Sequence, residues 1–103
     1  MQLRGKQKRY LRSQANQMRP LFSIGKQGIN QQWLQEIVNV LNRRELVKIK
    51  VLSNSPINVK EAKAIIDRKP SIQVVQKIGK TLLLFKVSNR AKYRKISQMV
   101  QNI

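Results

Sequence analysis

The apolar residues of this chain recur at two different spacings, and the alternation of these spacings limits the folds it can adopt. A period of about 3.6 residues is typical of a helix with one buried face, and a period of two is typical of a half-buried strand. The helical period appears three times and the strand period four times within 103 residues. With 41% apolar residues, a chain of this length can build one compact core but not two.

The two spacings predict where the helices and strands lie. We expect three helices, over residues 4–18, 31–44 and 59–69. We expect four strands, over residues 21–24, 46–52, 72–78 and 81–87. Pro20 ends the first helix because its ring disfavours a helical residue before it, and Asn30 and Asn58 are suitable N-caps for the other two. Gly79-Lys80 is typical of a two-residue hairpin turn between the last two strands.

The predicted element order is α-β-α-β-α-β-β. Two β-α-β units followed by a hairpin predict a single compact α/β (α+β) domain with a mixed four-stranded sheet and helices packed against it. We expect this domain to span residues 1–97 and a short C-terminal tail to span residues 98–103, at the end of a basic segment that begins at residue 88. Trp33 shares a helical face with Ile37 and Leu41, so we interpret it as a core residue rather than a base-stacking platform.

Charge is distributed unevenly along the chain. There are 22 lysines and arginines against 4 acidic residues, which gives a net charge of +18. Residues 1–35 and residues 68–103 contain no acidic residue, so all four carboxylates lie between them. A soluble surface normally mixes its signs, and two purely cationic ends therefore predict a surface that binds a polyanion. Nucleic acid is the favoured partner, with an anionic membrane surface or an acidic protein as alternatives.

The residue types that are missing exclude several classes of function. The chain has no cysteine and no histidine, which removes disulfides, thiolate metal sites, the usual general base and the commonest metal ligand. The four carboxylates form no evident pair, so we expect no catalytic activity, metal, cofactor or small-molecule substrate. The longest apolar run, Leu82–Phe85, is far shorter than the roughly 20 residues of a membrane span. We expect a soluble, cytoplasmic monomer that has no contact with a membrane.

The strongest candidate for a binding element is Gly25-Lys26-Gln27-Gly28, here called the glycine loop, between a predicted strand and a predicted helix. Its glycines let the backbone turn sharply and approach a ligand closely. N–H groups and the positive dipole near a helix start favour an anion, and Lys26 and Gln27 add a charge and amide donors. A Gly-x-x-Gly loop clamps the backbone of single-stranded RNA in this way in KH domains. The patterns of P-loops and of dinucleotide-binding loops are absent.

The predicted first helix carries a basic stripe on its outer side. The stripe consists of Lys8, Arg9, Arg12, Asn16 and Arg19. A charged helix face is often only a solvated surface, but here no acidic residue compensates the charge. We therefore expect the basic stripe and the glycine loop to form a two-part RNA-binding surface. Phosphate contacts should outweigh stacking in it, because most of the few aromatic residues are expected in the core.

Several separated blocks of sequence carry a resemblance to a known family. They are Gly5-Lys6-Gln7-Lys8-Arg9-Tyr10-Leu11-Arg12, Pro20, Ile24-Gly25-Lys26-Gln27-Gly28-Ile29, Glu45-Leu46-Val47-Lys48-Ile49-Lys50 and Ile78-Gly79-Lys80-Thr81-Leu82-Leu83-Leu84-Phe85. In these blocks the chain resembles the YhbY family, the stand-alone bacterial form of the CRM domain, from Leu3 to about Ser97. The family pattern often has a histidine after the alanine late in the first helix, whereas this chain has Asn16. The substitution affects only the detail of the helix-face contact.

The resemblance implies both a fold and a function. The implied fold is similar to the C-terminal domain of the third translation initiation factor. The implied function is RNA binding, in association with precursors of the large ribosomal subunit through their ribosomal RNA, to assist ribosome assembly. The alternative is an integral ribosomal protein, or a general nucleic-acid-binding protein without an assembly role.

Overall fold

The segments with helical and strand spacing form helices and strands in the predicted order, and two short elements follow them. In the computed structural model, which describes residues 2–103, the elements are α1 (Gly5–Ala15), β1 (Phe22–Ile24), α2 (Gln31–Arg44), β2 (Leu46–Val51), α3 (Val59–Asp67), β3 (Gln73–Ile78), β4 (Thr81–Phe85), a 3-10 turn (Ala91–Tyr93) and α4 (Ile96–Gln101). The predicted order of the first seven elements is confirmed.

Local sequence signals fix where the helices begin and end. The side-chain oxygens of Asn30 and Asn58 accept the backbone N–H groups of Trp33 and Glu61, each at 2.8 Å, so both predicted N-caps are confirmed. α1 ends at Ala15 instead of residue 18, because the chain turns there and the N–H of Met18 donates to the carbonyl of Ala15 at 2.9 Å. An earlier end leaves room for the extended backbone that a following proline requires.

The four strands form one mixed sheet, as predicted, and the structure gives their order as β1-β2-β4-β3. β1 and β2 are parallel neighbours joined through α2, whereas β4 is antiparallel to both β2 and β3. The Gly79-Lys80 turn joins β3 and β4, and Gly79 alone of the two has a positive φ, of 55°. The hairpin thus inserts β4 between β2 and β3, so that the most apolar strand lies inside the sheet.

One face of the sheet is covered along its whole length by α2 and α3. Every second residue of β2 points into this layer, from Val47 through Ile49 to Val51, and packs with Ile37 of α2 and Ile66 of α3. Trp33 also belongs to this core, since its side chain is 8% exposed. Its indole N–H donates to the carbonyl of Ser23 at 2.9 Å and its ring is tilted against Phe22. The interpretation of Trp33 as a core residue is confirmed.

The other face of the sheet is covered by α1 and α4 at one end only. Leu46 and Phe85, which face each other across β2 and β4, are 1% exposed and pack with Leu11 of α1 and Val100 of α4. Further along β2 on the same face, Lys48 is half-buried and Lys50 is exposed. We call these parts the covered half and the open half of this face.

Glu45 joins the C-terminal segment to the rest of the domain. Its side chain is fully buried, and its two carboxylate oxygens accept the backbone N–H groups of Ser88 at 2.7 Å and Ser97 at 2.9 Å. Its backbone has a φ of 63°, a conformation that side chains other than glycine adopt only at a cost. The expected boundary between residues 97 and 98 falls inside α4, whose Val100 is fully buried. Residues 98–101 therefore pack as part of the domain.

Candidate nucleic-acid interface

The glycine loop is a tight turn that follows the end of β1. The N–H of Gly28 donates to the carbonyl of Gly25 at 3.0 Å, which closes the turn and leaves Lys26 and Gln27 exposed at its tip. Neither the backbone N–H groups nor the side chains of these two residues have a hydrogen-bond partner within residues 2–103. The tip therefore presents backbone donors, amide donors and one ammonium group to a ligand.

Gly28 is the residue of the loop that other side chains would disturb most. Its φ is 65°, in the left-handed region that favours glycine. A Cβ atom there would also lie 3.2 Å from Cγ of Pro56, so a larger residue would have to displace the Asn54-Ser55-Pro56 turn. The loop conformation thus depends on this glycine and on the turn behind it.

The loop does not open α2 directly. Ile29 and Asn30 separate it from the first helical residue, and Asn30 already accepts one of the N–H groups at the start of the helix, that of Trp33. The remaining first-turn donors and the positive end of the helix dipole still lie on the loop side of α2. The expected electrostatic contribution of the helix start is present, but at a distance of two residues.

The predicted basic stripe is only partly helical, because α1 ends at Ala15 and Asn16 and Arg19 follow it. The structure also divides the stripe into two parts. Arg12, Asn16 and Arg19 line a groove of about 360 Å³ together with side chains of the open half of the sheet, including Lys48. Lys8 and Arg9 are exposed one to two turns earlier on α1 and do not line this groove. The ammonium group of Lys48 donates to the carbonyl of Met18 at 3.1 Å, which ties the segment that follows α1 to β2.

Part of the open half of the sheet forms the floor of the groove, where Thr81 and Ile78 line it. Register places Ser23, Lys50, Thr81 and Ile78 side by side across the four strands, and we call this set the open row. All but Thr81, which is half-buried, are exposed. Ile78 is 63% exposed and supplies an apolar surface beside the cations.

The open row connects the two predicted parts of the surface. Ser23 lies in β1 only two residues before the glycine loop, and Thr81 and Ile78 line the groove that also contains Arg12 and Arg19. The loop, the open row and the C-terminal half of the basic stripe therefore lie at the same end of the sheet.

The fold adds Lys48 and Lys50 to this surface, and the sequence predicted their orientation in the strand but not a role in binding. Lys48 and Lys50 alternate with the apolar residues of β2, and that alternation predicts only that they leave the α2 side of the sheet. Whether that face is covered depends on the length and position of α1, and a strand pattern carries no information about either. The sequence did not indicate that Ile78 would be exposed, because an apolar residue at the end of a strand is normally expected in the core.

None of the four carboxylates belongs to the glycine loop, the open row or the basic stripe. Glu36 is exposed on α2, Glu61 caps α3, and Asp67 pairs with Lys63 at 2.7 Å, the i,i+4 pair expected on a helix. Glu45 is buried. Burial lowers the pKa of the nearby Lys86 ammonium, an effect that the Glu45 carboxylate opposes and Arg94 adds to.

Within the described residues, no group of three or more acidic, histidine or cysteine side chains is arranged to hold a metal ion. Over the same residues, no helix is long and apolar enough to cross a membrane.

Comparison with known sequences identifies relatives over most of the chain. The sequence profile of the CRS1 / YhbY (CRM) domain matches residues 3–86. The probable RNA-binding protein YqeI of Bacillus subtilis (strain 168) is 39% identical over 90 residues, which cover 87% of this chain and 94% of YqeI. A protein of Haemophilus influenzae named RNA-binding protein is 34% identical over 87 residues, which cover 84% of this chain and 88% of that protein.

A solved structure has the same fold. The solution structure of the protein SAV1595 from Staphylococcus aureus superimposes with a TM-score of 0.70 at 38% sequence identity, over 91% of this chain and 98% of that one. The predicted fold class and the family resemblance are both confirmed.

Proposed function

Because the chain belongs to the CRS1 / YhbY (CRM) domain family, we propose that it binds RNA through the glycine loop, the open row and the C-terminal half of the basic stripe. Two of its relatives are named as RNA-binding proteins, and none of the three parts of this surface contains a carboxylate. The observation that carries the proposal is that these parts meet at the end of the sheet where α1 and α4 leave one face open.

The chemistry of the surface suits a single-stranded backbone better than stacked bases. The tip of the glycine loop offers donors for phosphate and ribose oxygens, and Lys50, Arg12 and Arg19 continue the line of cations toward α1. Stacking on aromatic rings contributes little, since Trp33 and Phe85 are buried in the two cores. The affinity therefore comes mainly from phosphate contacts and decreases steeply with salt, by about 0.7 log units per log unit of salt for each phosphate on single-stranded RNA.

The finer function we propose is assistance in ribosome assembly. The family resemblance supports association with precursors of the large ribosomal subunit through their ribosomal RNA. Most groups of the proposed surface are cations and backbone donors suited to phosphate, so the shape of the RNA and the spacing of its phosphates would select the target. A scaffolding or chaperone-like role on RNA needs no catalytic residue, in agreement with the isolated positions of the four carboxylates.

Reversal of the charge at the loop tip tests the proposed surface. We expect Lys26→Glu to lower the affinity for a single-stranded RNA oligonucleotide about tenfold or more at about 0.1 M salt, because one phosphate contact becomes a repulsion. The matched control is Lys69→Glu at the end of α3, which changes the net charge equally and lies outside the surface. Equal losses in both variants would show that only total charge matters and would remove the loop from the site.

The assembly role requires a separate experiment. Ultraviolet crosslinking with RNA sequencing should recover large-subunit ribosomal RNA, and sedimentation should place the protein on precursor particles rather than on salt-washed mature subunits. Crosslinks spread evenly over messenger and transfer RNA would contradict the assembly role and leave RNA binding intact. Retention on mature subunits after a high-salt wash would instead favour an integral ribosomal protein.

A further inference from the structure

The end of α2 farthest from the glycine loop carries a second polar pocket. The pocket measures about 460 Å³ and is lined by Asn39, Asn42, Arg43, Asn89, Arg90 and Tyr93. We call it the donor pocket. α2 has 14 residues and rises about 1.5 Å per residue, so about 20 Å separate the pocket from the glycine loop. Three of its lining residues follow residue 86, the last that matches the family profile.

Internal hydrogen bonds occupy two of the side-chain acceptor atoms that line this pocket. Oδ1 of Asn42 accepts the ammonium group of Lys86 at 2.6 Å and the backbone N–H of Asn89 at 3.1 Å. Oδ1 of Asn39 accepts the side-chain amide of Gln35 at 3.2 Å. The amide nitrogens of both asparagines are therefore the atoms left for a ligand. With the guanidinium groups of Arg43 and Arg90, the lining is rich in donors and contains no carboxylate.

The negative end of the α2 dipole would repel an anion if its carbonyl groups were free. The structure reduces this effect, because the carbonyl of Asn42 accepts the hydroxyl of Ser88 at 2.5 Å and the carbonyl of Leu41 accepts the N–H of Glu45 at 2.7 Å. Arg43 and Arg44 in the last turn place two cations at the same end. The local field therefore favours an anion.

The pocket is also held in place by the C-terminal segment. Ser88 is fixed by the buried Glu45 carboxylate, its hydroxyl accepts the N–H of Arg90 at 3.0 Å, and its carbonyl accepts Nε of Arg94 at 2.8 Å. The N–H of Tyr93 donates to the carbonyl of Arg90 at 3.0 Å. A ligand would meet donors whose backbone positions are already fixed, which limits the ordering cost of binding.

We propose that the donor pocket binds phosphate groups of a second RNA segment, so that one molecule of this protein holds two segments about 20 Å apart. This inference rests on the proposed function, because the first segment occupies the glycine loop and the open row. A donor-rich lining with two guanidinium groups suits the acceptor-only oxygens of a phosphodiester. Tyr93 is half-buried at the edge of the pocket, and the Lys92 ammonium lies 5.0 Å from the centroid of its ring, which adds a cation beside the pocket.

Two labelled RNA strands test this inference. We mix the full chain with two single-stranded oligonucleotides of about eight nucleotides, one with a fluorescent donor and one with an acceptor. We expect the wild type to bind two strands and to give energy transfer. The double variant Arg43→Gln/Arg90→Gln should bind one strand and lose the transfer, whereas Arg68→Gln/Lys69→Gln, which removes the same charge at the end of α3, should retain it.

Each result bears on a different claim. Binding of one strand by the wild type, or equal transfer in the Arg43→Gln/Arg90→Gln variant, would overturn the second site and leave the proposed function intact. Failure of the wild type to bind either strand would overturn the proposed function, and the second site with it. A Lys26→Glu variant that still binds one strand, now dependent on Arg43 and Arg90, would support two independent sites.

A free nucleotide has the same phosphate chemistry as an RNA backbone, so a titration is needed to distinguish these two ligands of the donor pocket. We expect uridine 5′-monophosphate to shift the amide signals of Asn89 and Asn42 only at concentrations far above those at which the oligonucleotide shifts them. Saturation of these signals by the mononucleotide at concentrations as low as those of the oligonucleotide would identify a nucleotide pocket and overturn the bridging role.

Discussion

The same strands run through the covered half and the open half of one sheet face, but helices cover only the first. In the covered half, Leu46 and Phe85 are buried under α1 and α4; in the open half, Lys50 and Ile78 are exposed. β2 and β4 stay paired in one register through both halves. The difference therefore comes from the helices, since α1 ends at Ala15 and α4 has only six residues.

Folding stability and anion binding therefore depend on different halves of this sheet face. The covered half excludes water from apolar side chains, which is the main favourable contribution to folding. The open half keeps cations solvated beside the glycine loop, where they contribute little to folding and remain available to an anion. Substitutions in the two halves should consequently change different measurements.

The largest effect is expected in the covered half. Phe85→Ala removes a fully buried ring and should lower the free energy of unfolding by about 3–5 kcal/mol, measured by urea denaturation. RNA affinity, measured where the variant is still folded, should stay within about twofold of the wild type. A large affinity loss in the folded variant would show that the two halves are coupled and would contradict their separate roles in stability and binding.

A smaller loss of stability is expected at Glu45. In Glu45→Gln one oxygen becomes an NH₂ group that faces a backbone N–H, so either Ser88 or Ser97 loses its acceptor and stability falls by about 1–3 kcal/mol. Hydrogen exchange should accelerate at these amides and in α4 but not in β2. Uniform acceleration over the whole domain would mean that α4 does not open separately.

The smallest effect is expected in the open half. Lys50→Gln removes one exposed cation, so affinity for single-stranded RNA should fall about fivefold at about 0.1 M salt, with a salt slope lower by about 0.7. The unfolding midpoint should not change, because the side chain is exposed. Lys69→Gln is the matched control, and an equal change of slope in that variant would remove the open row from the RNA surface.

The fold could be predicted largely from local signals. Asn30 and Asn58 marked helix starts, Gly79 marked the hairpin, and the switch between the two apolar periods marked the seven elements. These signals succeed because capping, turn geometry and one-sided burial are decided by residues close in sequence. The sequence predicts that the basic segment from residue 88 ends in a tail. The burial of this segment depends on the Glu45 carboxylate, 52 residues before Ser97. A local sequence pattern carries no information about so distant a contact.

The candidate site was predicted in part. The glycine loop and the basic stripe carry motif and charge signals that are readable in one dimension. Whether Lys8 and Arg9 share a surface with Arg12 depends on where the groove ends, and the role of Lys50 depends on which half of the sheet is covered. Both are properties of packing between distant elements, so they required the structure.

Glu45 has a consequence for the order in which a newly synthesised chain acquires its native contacts. Its carboxylate needs the amide of Ser97, which is made 52 residues later. Until that residue leaves the ribosomal exit tunnel, the carboxylate stays hydrated, since an unpaired buried charge is costly. The strands and the glycine loop precede this event, whereas the docking of α4 follows it. The strands of the open half are thus made before the step that closes the covered half.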